Sequence, residues 1–168
     1  MSVPTVKEYM TNAFVSFALG PIVLPALYLV GPKLSEEAVR NPEYHILYEA
    51  LSTCGRLLND WRSFKRESKE GKLNTLSLLL IHGDGCVTEE DAIKTIKDLI
   101  DSRRRQVLRL VLEEKDSIIP RACKDLFWNM TRVLHLFYKE NDGFTSNEMM
   151  VSAANAVINE PISLDSLA

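Results

Sequence analysis

The feature that most constrains this chain is a long, unbroken helical pattern between Asn41-Pro42 and Gly71. Proline is favoured at the first position of a helix and glycine just beyond the end, so this punctuation predicts a helix over 42 to about 69. Its apolar residues recur at helical spacing and form one stripe: Ile46, Leu47, Ala50, Leu51, Cys54, Leu57, Leu58, Trp61 and Phe64. A helix of this length with such a stripe needs other helices packed against it.

The rest of the chain also reads as helical. Thr5 with Glu8 three residues later forms a capping-box pattern that predicts a first helix. Gly20-Pro21 is predicted to interrupt it, and a short helix follows over about 22–30. Further helices are predicted over 75–81, from Thr88, from near Pro120 through 137, and over about 147–158. No convincing strand alternation occurs, so the chain is predicted to be one all-α domain over 1–168.

Composition excludes several classes of function. The formal net charge of −3 favours neither nucleic acid nor an anionic membrane surface as a partner. The three cysteines are far apart and contain no CxxC pair, which excludes a disulfide framework or zinc site and predicts three small buried side chains. The longest apolar stretch, 13–30, is broken by Gly20-Pro21 and Pro25, so it is interpreted as a buried, kinked helix pair and not as a membrane span.

The predicted long helix carries a row of polar residues on one face. Asn59, Ser63 and Glu67 are spaced at i, i+4 and i+8, and at about 100° per residue they drift by only about 40° per step. Their amide, hydroxyl and carboxylate oxygens are the ligand types that Mg²⁺ accepts. Arg56 lies one turn earlier on nearly the same side. The spacing alone leaves open that this is an ordinary solvated face.

Three segments of the chain resemble one protein family. Residues 57–74 resemble the second metal motif, (N/D)DxxSxxxE, of class I terpene synthases, in the form found in kaurene synthases. Residues 16–25 resemble the broken helix that borders the family's hydrocarbon pocket, and residues 137–144 resemble the loop that caps its active site. The chain therefore resembles the C-terminal part of the metal-binding α-helical domain of a plant class I diterpene synthase.

This resemblance implies a mechanism and a set of roles. Asn59, Ser63 and Glu67 would bind one Mg²⁺, with Mn²⁺ as a substitute, against the diphosphate of a prenyl substrate such as ent-copalyl diphosphate. Arg56 would contact the diphosphate, Ile22 would sit at a pocket position that influences the product, and Phe17 would form a pocket wall. Ionisation and cyclisation would follow, as in gibberellin biosynthesis. For Phe17 and Ile22, plain core packing remains an alternative.

The family also uses an aspartate-rich DDxxD motif, and these 168 residues contain none. The upstream half of the domain is therefore expected to be absent, and the chain alone is expected to be inactive. The alternative is a non-catalytic helical protein that associates with itself or with a terpene synthase chain. The family works in plastids, but no transit-peptide pattern is visible here, so the location of this chain stays open.

Several other polar residues are expected to lie outside the chemistry. Asp60 need not touch metal, and Arg62 is expected to point to another side of the helix. Lys72 and the basic run 103–105 are interpreted as solvated. The three histidines share no ligand spacing: His45, His82 and His135.

Overall fold

The computed structural model describes residues 2–113, 115, 117–143 and 147–160, and within these every regular element is a helix. The all-α prediction is therefore confirmed. The helices in chain order are α1 (Val6–Ser16), α2 (Leu19–Ala26), α3 (Glu36–Arg40), α4 (Pro42–Lys69), α5 (Thr75–His82), α6 (Glu89–Leu112), α7 (Arg121–Phe137) and α8 (Glu148–Ile158).

Helix α4 is the centre of the fold and has the bounds that the sequence predicts. Pro42 occupies its first turn, and the Asn41 side chain caps it by accepting a hydrogen bond from the Glu43 amide at 2.8 Å. Helices α1, α2, α3, α5, α6 and α7 all pack on it. Leu47, Leu51 and other members of its apolar stripe are fully buried. Burial of each such side chain stabilises the fold by about 2 kcal/mol. Helix α4 is therefore held firmly by its neighbours, and its polar row has a fixed position.

The break between α1 and α2 comes earlier than predicted. Helix α1 ends at Ser16 and α2 begins at Leu19. Gly20-Pro21 therefore lies inside α2 and does not interrupt a helix. The reason is that amides in the first turn of a helix have no intrahelical partner, and Pro21 costs α2 no hydrogen bond there. The two helices meet at a bend of 48°. Helix α2 also ends at Ala26, short of the predicted residue 30.

Helices α1 and α2 form the kinked pair that was expected, but the stretch 13–30 is only partly buried. Leu19, Val23 and Leu27 are buried, whereas Ile22 and Leu29 are exposed. No single helix among the described residues is long and apolar enough to cross a membrane. The bent pair of α1 and α2 meets that test of length and composition only when the two helices are taken together.

Two further differences concern short segments. Helix α3 was not predicted, because five residues are too few to show a helical period. The prediction of three buried cysteines is wrong for Cys86, which is exposed, whereas Cys54 and Cys123 are buried. Cys86 lies in the turn after α5, where its amide donates to the Gly83 carbonyl at 2.8 Å. A turn between helices runs over the surface, so its thiol faces solvent.

Candidate metal and diphosphate site

The polar row of α4 lies on consecutive turns of one helix. Ser63 is buried, and Asn59 and Glu67 are half-buried. A step of four residues is a rise of about 6 Å along the axis, so the three side chains follow one line on the same face. The folded α4 therefore keeps the spatial arrangement on which the metal hypothesis depends.

Each residue of the row has an oxygen that can still accept a ligand. The Ser63 hydroxyl donates to the Asn59 backbone carbonyl at 2.8 Å, which leaves the hydroxyl lone pairs as acceptors. One carboxylate oxygen of Glu67 accepts from Asn74 Nδ2 at 2.8 Å, which orients the group and leaves its other oxygen available. Asn59 directs Nδ2 at the Tyr138 hydroxyl at 3.4 Å. The oxygen donor set therefore fits a hard divalent cation such as Mg²⁺.

Arg56 lies at the start of the row and is held by the end of α1. Its Nε donates to the Ala13 carbonyl at 3.0 Å, and its terminal nitrogens lie 3.4 Å from Ser16 Oγ and from Asn59 Oδ1. Its guanidinium lies 5.3 Å from the centroid of the Phe17 ring. A guanidinium has five N–H donors in a rigid fork, so these contacts leave donors for an anion beside the row.

Asp60 follows the first residue of the row but faces the protein interior. Its carboxylate accepts hydrogen bonds from the Thr75 amide at 2.9 Å, the Thr75 hydroxyl at 2.7 Å and the Tyr9 hydroxyl at 3.2 Å. Burial raises the pKa of the Asp60 carboxyl, against the opposing effect of the Thr75 hydrogen bonds. These bonds join α4 to α5 and α1, so Asp60 has a structural role at the rear of the site.

Two arginines of α4 hold the segment that follows α7. Arg62 Nε donates to the Tyr138 carbonyl at 2.7 Å, and a terminal nitrogen of Arg62 donates to the Lys139 carbonyl. Arg66 pairs with Asp142 at 3.3 Å. Residues 138–142 are thereby fixed against α4. This segment belongs to the predicted capping loop, of which Phe144 lies outside the described residues.

Tyr138 is the site residue that sequence reasoning missed. Only 1% of it is exposed, its ring packs against Phe137 at 5.2 Å between centroids, and its hydroxyl reaches Asn59. Burial raises the pKa of Tyr138 to about 12, so the hydroxyl is neutral at physiological pH. Residue 138 lies within the capping-loop resemblance, which was the only signal that pointed to it.

An apolar cavity of about 260 Å³ lies beside the polar row. The structure brings Phe17 and Ile22 together in its wall, although they come from opposite sides of the α1–α2 break. The other lining residues are Ala18, Leu19, Met130, Val133, Leu134, Phe137 and Tyr138. Ile22 is 51% exposed, so the cavity is open on that side. Tyr138 borders both the cavity and Asn59.

The remaining polar residues do not converge on the row. Lys72 pairs with Glu70 at 2.6 Å on the surface, as expected for a solvated lysine. His82 contacts the Pro4 carbonyl and His135 contacts the Thr131 carbonyl, each at 2.9 Å. Among the described residues, no three His, Cys, Asp or Glu side chains cluster in a way that could hold a metal ion. The Asn-Ser-Glu row thus remains the metal candidate within that part of the chain.

Comparison with known proteins agrees with this geometry. The family model described as terpene synthase family 2, C-terminal metal binding, matches residues 1–106. The chain is 70% identical over 161 residues to ent-kaurene synthase-like 1 of Ricinus communis, covering 96% of this chain and 22% of that protein. It is 60% identical over 162 residues to the chloroplastic ent-kaurene synthase TSP4 of Vitex agnus-castus, covering 96% and 20%. The chain thus spans about a fifth of the length of these relatives.

Solved structures show the same fold. Abietadiene synthase from Abies grandis matches with a TM-score of 0.80 at 24% identity, over 95% of this chain and 21% of that one. Isoprene synthase from grey poplar leaves matches with a TM-score of 0.79 at 25% identity, over 95% and 29%. The helical arrangement is therefore that of terpene synthases. Since the family model covers more than half of the sequence, the chain belongs to the terpene synthases, within their C-terminal metal-binding domain.

Proposed function

We propose that this chain supplies one half of the diphosphate-binding site of a class I diterpene synthase. Asn59, Ser63 and Glu67 hold a divalent cation, Mg²⁺ or in its place Mn²⁺, and Arg56 binds the diphosphate of a prenyl substrate. The observation that carries this proposal is the intact row on α4, with an oxygen on each residue that keeps a lone pair for a cation and a guanidinium at its start.

The residues of the chain have two roles: some stabilise the charge of the diphosphate, and others keep water away from the hydrocarbon. A bound Mg²⁺ would act as a Lewis acid on the diphosphate oxygens as the C–O bond breaks. Arg56 presents N–H donors to the same anion, and its contacts with Ala13 and Ser16 hold it in place before substrate binds. Phe17 and Ile22 present an apolar wall to the hydrocarbon, which keeps water from a carbocation.

The substrate we propose is a bicyclic diterpene diphosphate of the ent-copalyl type, in the branch that leads to gibberellins. The support is the high identity to proteins named ent-kaurene synthase, several of which are also named chloroplastic. We accordingly propose a plastid as the site of action. The cavity, at about 260 Å³, is slightly below the roughly 300–1,000 Å³ of typical ligand pockets. The rest of the pocket wall must then come from residues beyond those described.

The same reasoning limits what these 168 residues do by themselves. They contain no DDxxD motif, so they neutralise a diphosphate from one side only. We propose that they bind Mg²⁺ and diphosphate weakly, and that turnover needs a second set of carboxylates from elsewhere on the same polypeptide or from another chain.

Calorimetry tests the half-site directly. Pyrophosphate is titrated into the purified chain with and without Mg²⁺, beside an Asn59→Ala/Glu67→Ala double variant. Glu49→Ala/Asn129→Ala is the matched control, since both residues are exposed: Glu49 lies on α4 ten residues before Asn59, and Asn129 lies on α7. Binding that requires metal and is lost in the first variant only supports the proposal. Absence of metal-dependent binding in the wild-type chain contradicts it and favours the non-catalytic interaction protein.

A second assay tests the limit on turnover. The chain is incubated with ent-copalyl diphosphate and Mg²⁺, and hydrocarbon products are sought by gas chromatography. No product is expected from the 168 residues alone. Release of a diterpene would overturn the proposal that a second set of carboxylates is needed.

A further inference from the structure

Asn59 differs from the other residues of the row because an amide has two unlike ends. Its oxygen can bind a cation, whereas its NH₂ group cannot. Rotation by half a turn about the last side-chain bond exchanges the two ends. An asparagine that serves as a metal ligand therefore needs neighbours that hold the oxygen toward the cation. A serine hydroxyl or a glutamate carboxylate has no such requirement.

Each end of the Asn59 amide has a neighbour on the protein. Arg56 has only donors, so its terminal nitrogen at 3.4 Å must face Oδ1. Arg56 therefore decides which end of the amide faces it. The Tyr138 hydroxyl, which can donate or accept, lies 3.4 Å from Nδ2 on the other side and accepts a hydrogen bond from Nδ2 in that orientation. Oδ1 therefore points to the side where Arg56 offers its remaining donors to an anion, which is the side that a cation bound to diphosphate would occupy.

Packing and hydrogen bonds hold Tyr138 in place beside the Asn59 amide. Its side chain is 1% exposed and packs edge-on against Phe137. Its backbone carbonyl accepts from Arg62 Nε at 2.7 Å, and Arg62 lies one helical turn after Asn59 on α4. The residue is thus fixed to α4 at both its hydroxyl and its carbonyl. These contacts hold the hydroxyl at the position from which it bonds Asn59.

We propose that Tyr138 is a positioning residue that holds the amide of Asn59 in the orientation that Arg56 selects, so that Oδ1 and not Nδ2 faces the divalent cation. This inference rests on the proposed function, because it takes Asn59 to be a metal ligand. It assigns to a residue of the capping segment a direct influence on metal affinity. It also gives Tyr138 a second role beside lining the apolar cavity.

The test compares Tyr138→Phe in two backgrounds. In the wild-type background, loss of the hydroxyl removes one of the two contacts that restrain the amide, and Mn²⁺ affinity in the presence of pyrophosphate should fall roughly two- to tenfold, the value of one ordinary hydrogen bond. In an Asn59→Asp background both carboxylate oxygens are equivalent ligands. There the same change should alter the affinity by less than about twofold. Electron paramagnetic resonance of free Mn²⁺ measures both, and thermal melts establish that every variant is folded.

Two controls separate the inference from the proposed function. Tyr28→Phe removes a hydroxyl from a tyrosine that is 62% exposed after α2, and it should leave Mn²⁺ affinity unchanged. Asn59→Ala should abolish most of the metal-dependent binding. If Asn59→Ala binds Mn²⁺ as the wild type does, the proposed function fails, and the role of Tyr138 fails with it.

Two results would overturn the positioning role alone. One is a lower Mn²⁺ affinity in Asn59→Ala together with an unchanged Mn²⁺ affinity in Tyr138→Phe. The other is an equal loss from Tyr138→Phe in the Asn59 and Asn59→Asp backgrounds, which would show that Tyr138 acts by packing. The side-chain amide signals of Asn59 in ¹⁵N-labelled protein give a second reading, because they should shift in Tyr138→Phe and stay in place in Tyr28→Phe.

Discussion

The Lys124 ammonium lies 2.5 Å from a carboxylate oxygen of Glu43, with 2% of the lysine side chain and 18% of the glutamate side chain exposed. Lys124 also donates to the carbonyls of Leu110 at 3.0 Å and Glu113 at 2.7 Å, which belong to the C-terminal end of α6. One cation therefore joins the start of α4, the end of α6 and the first turn of α7. Helix carbonyls at a C-terminus attract a positive charge, which adds to the ion pair.

Lys124→Met should destabilise the chain strongly. The change leaves the Glu43 carboxylate and two carbonyls of α6 without their cation, and loss of one partner of a buried pair costs about 3–5 kcal/mol. Urea denaturation followed by circular dichroism measures the free energy of unfolding. Lys94→Met is the control, because Lys94 is exposed on α6, and it should change that free energy by less than about 0.5 kcal/mol. A loss below about 1 kcal/mol for Lys124→Met would show that the pair is dispensable.

Gly55 allows α4 to approach Phe17, and Gly55→Ala should move that ring. An added Cβ would lie 2.3 Å from Phe17 Cε1, well inside contact distance. Overpacking of this kind typically costs about 1–3 kcal/mol, more than the roughly 1 kcal/mol that alanine gains over glycine in a helix. Thermal unfolding should show a lower midpoint. A Phe17→Leu/Gly55→Ala double variant should recover most of the loss, and failure to recover it would place the strain elsewhere.

Arg62 should protect the segment after α7 from proteolysis. Arg62→Gln removes the guanidinium that bonds the carbonyls of Tyr138 and Lys139, so this backbone should open more often. Limited trypsin digestion should then cleave after the exposed Lys139 several-fold faster. Arg40→Gln is matched, because it also removes one arginine, and within the described part of the chain Arg40 pairs with the exposed Glu36 alone. Equal cleavage rates in the two variants would mean that Arg62 does not hold the segment.

The three cysteines should differ sharply in reactivity toward a thiol reagent. Cys86 is exposed, whereas Cys54 and Cys123 have no exposed surface. Burial raises the pKa of the Cys54 thiol to about 12, so almost no thiolate forms at neutral pH. Folded protein should show one fast-reacting thiol, and denatured protein three. Cys86→Ser should abolish the fast phase; rapid labelling that persists in this variant would indicate local opening of the core.

Many of the helix boundaries could be predicted from local sequence signals. The pairs Thr5 with Glu8 and Thr88 with Asp91 both form capping boxes in the structure, and Asn41-Pro42 begins α4 as expected. These signals are local because a cap satisfies amides within one turn of itself. The predicted position of the α1–α2 break was wrong because proline disrupts a helix only where the missing backbone N–H is needed as a donor. Pro21 lies in the first turn of α2, where no intrahelical acceptor is available for that donor.

Only part of the candidate site could be predicted from the sequence. The row of Asn59, Ser63 and Glu67 follows from the rise and period of a single helix, so it needed no knowledge of the tertiary fold. The contact of Asn59 with Tyr138 joins residues 79 positions apart and depends on how α7 packs on α4. No periodic pattern encodes such a distance. The placement of Phe17 and Ile22 in one cavity likewise needed the bend between α1 and α2.

The two arginines that bind residues 138–142 to α4 have a thermodynamic consequence. Helix α4 carries the proposed ligand row and these anchors within a few turns of each other, so the two parts share one rigid body. Coupling between two binding equilibria is reciprocal. If closure of the segment strengthens the hold on a ligand at the row, then a ligand at the row must strengthen closure by the same factor. Residues that never contact the ligand can therefore set how tightly it is bound.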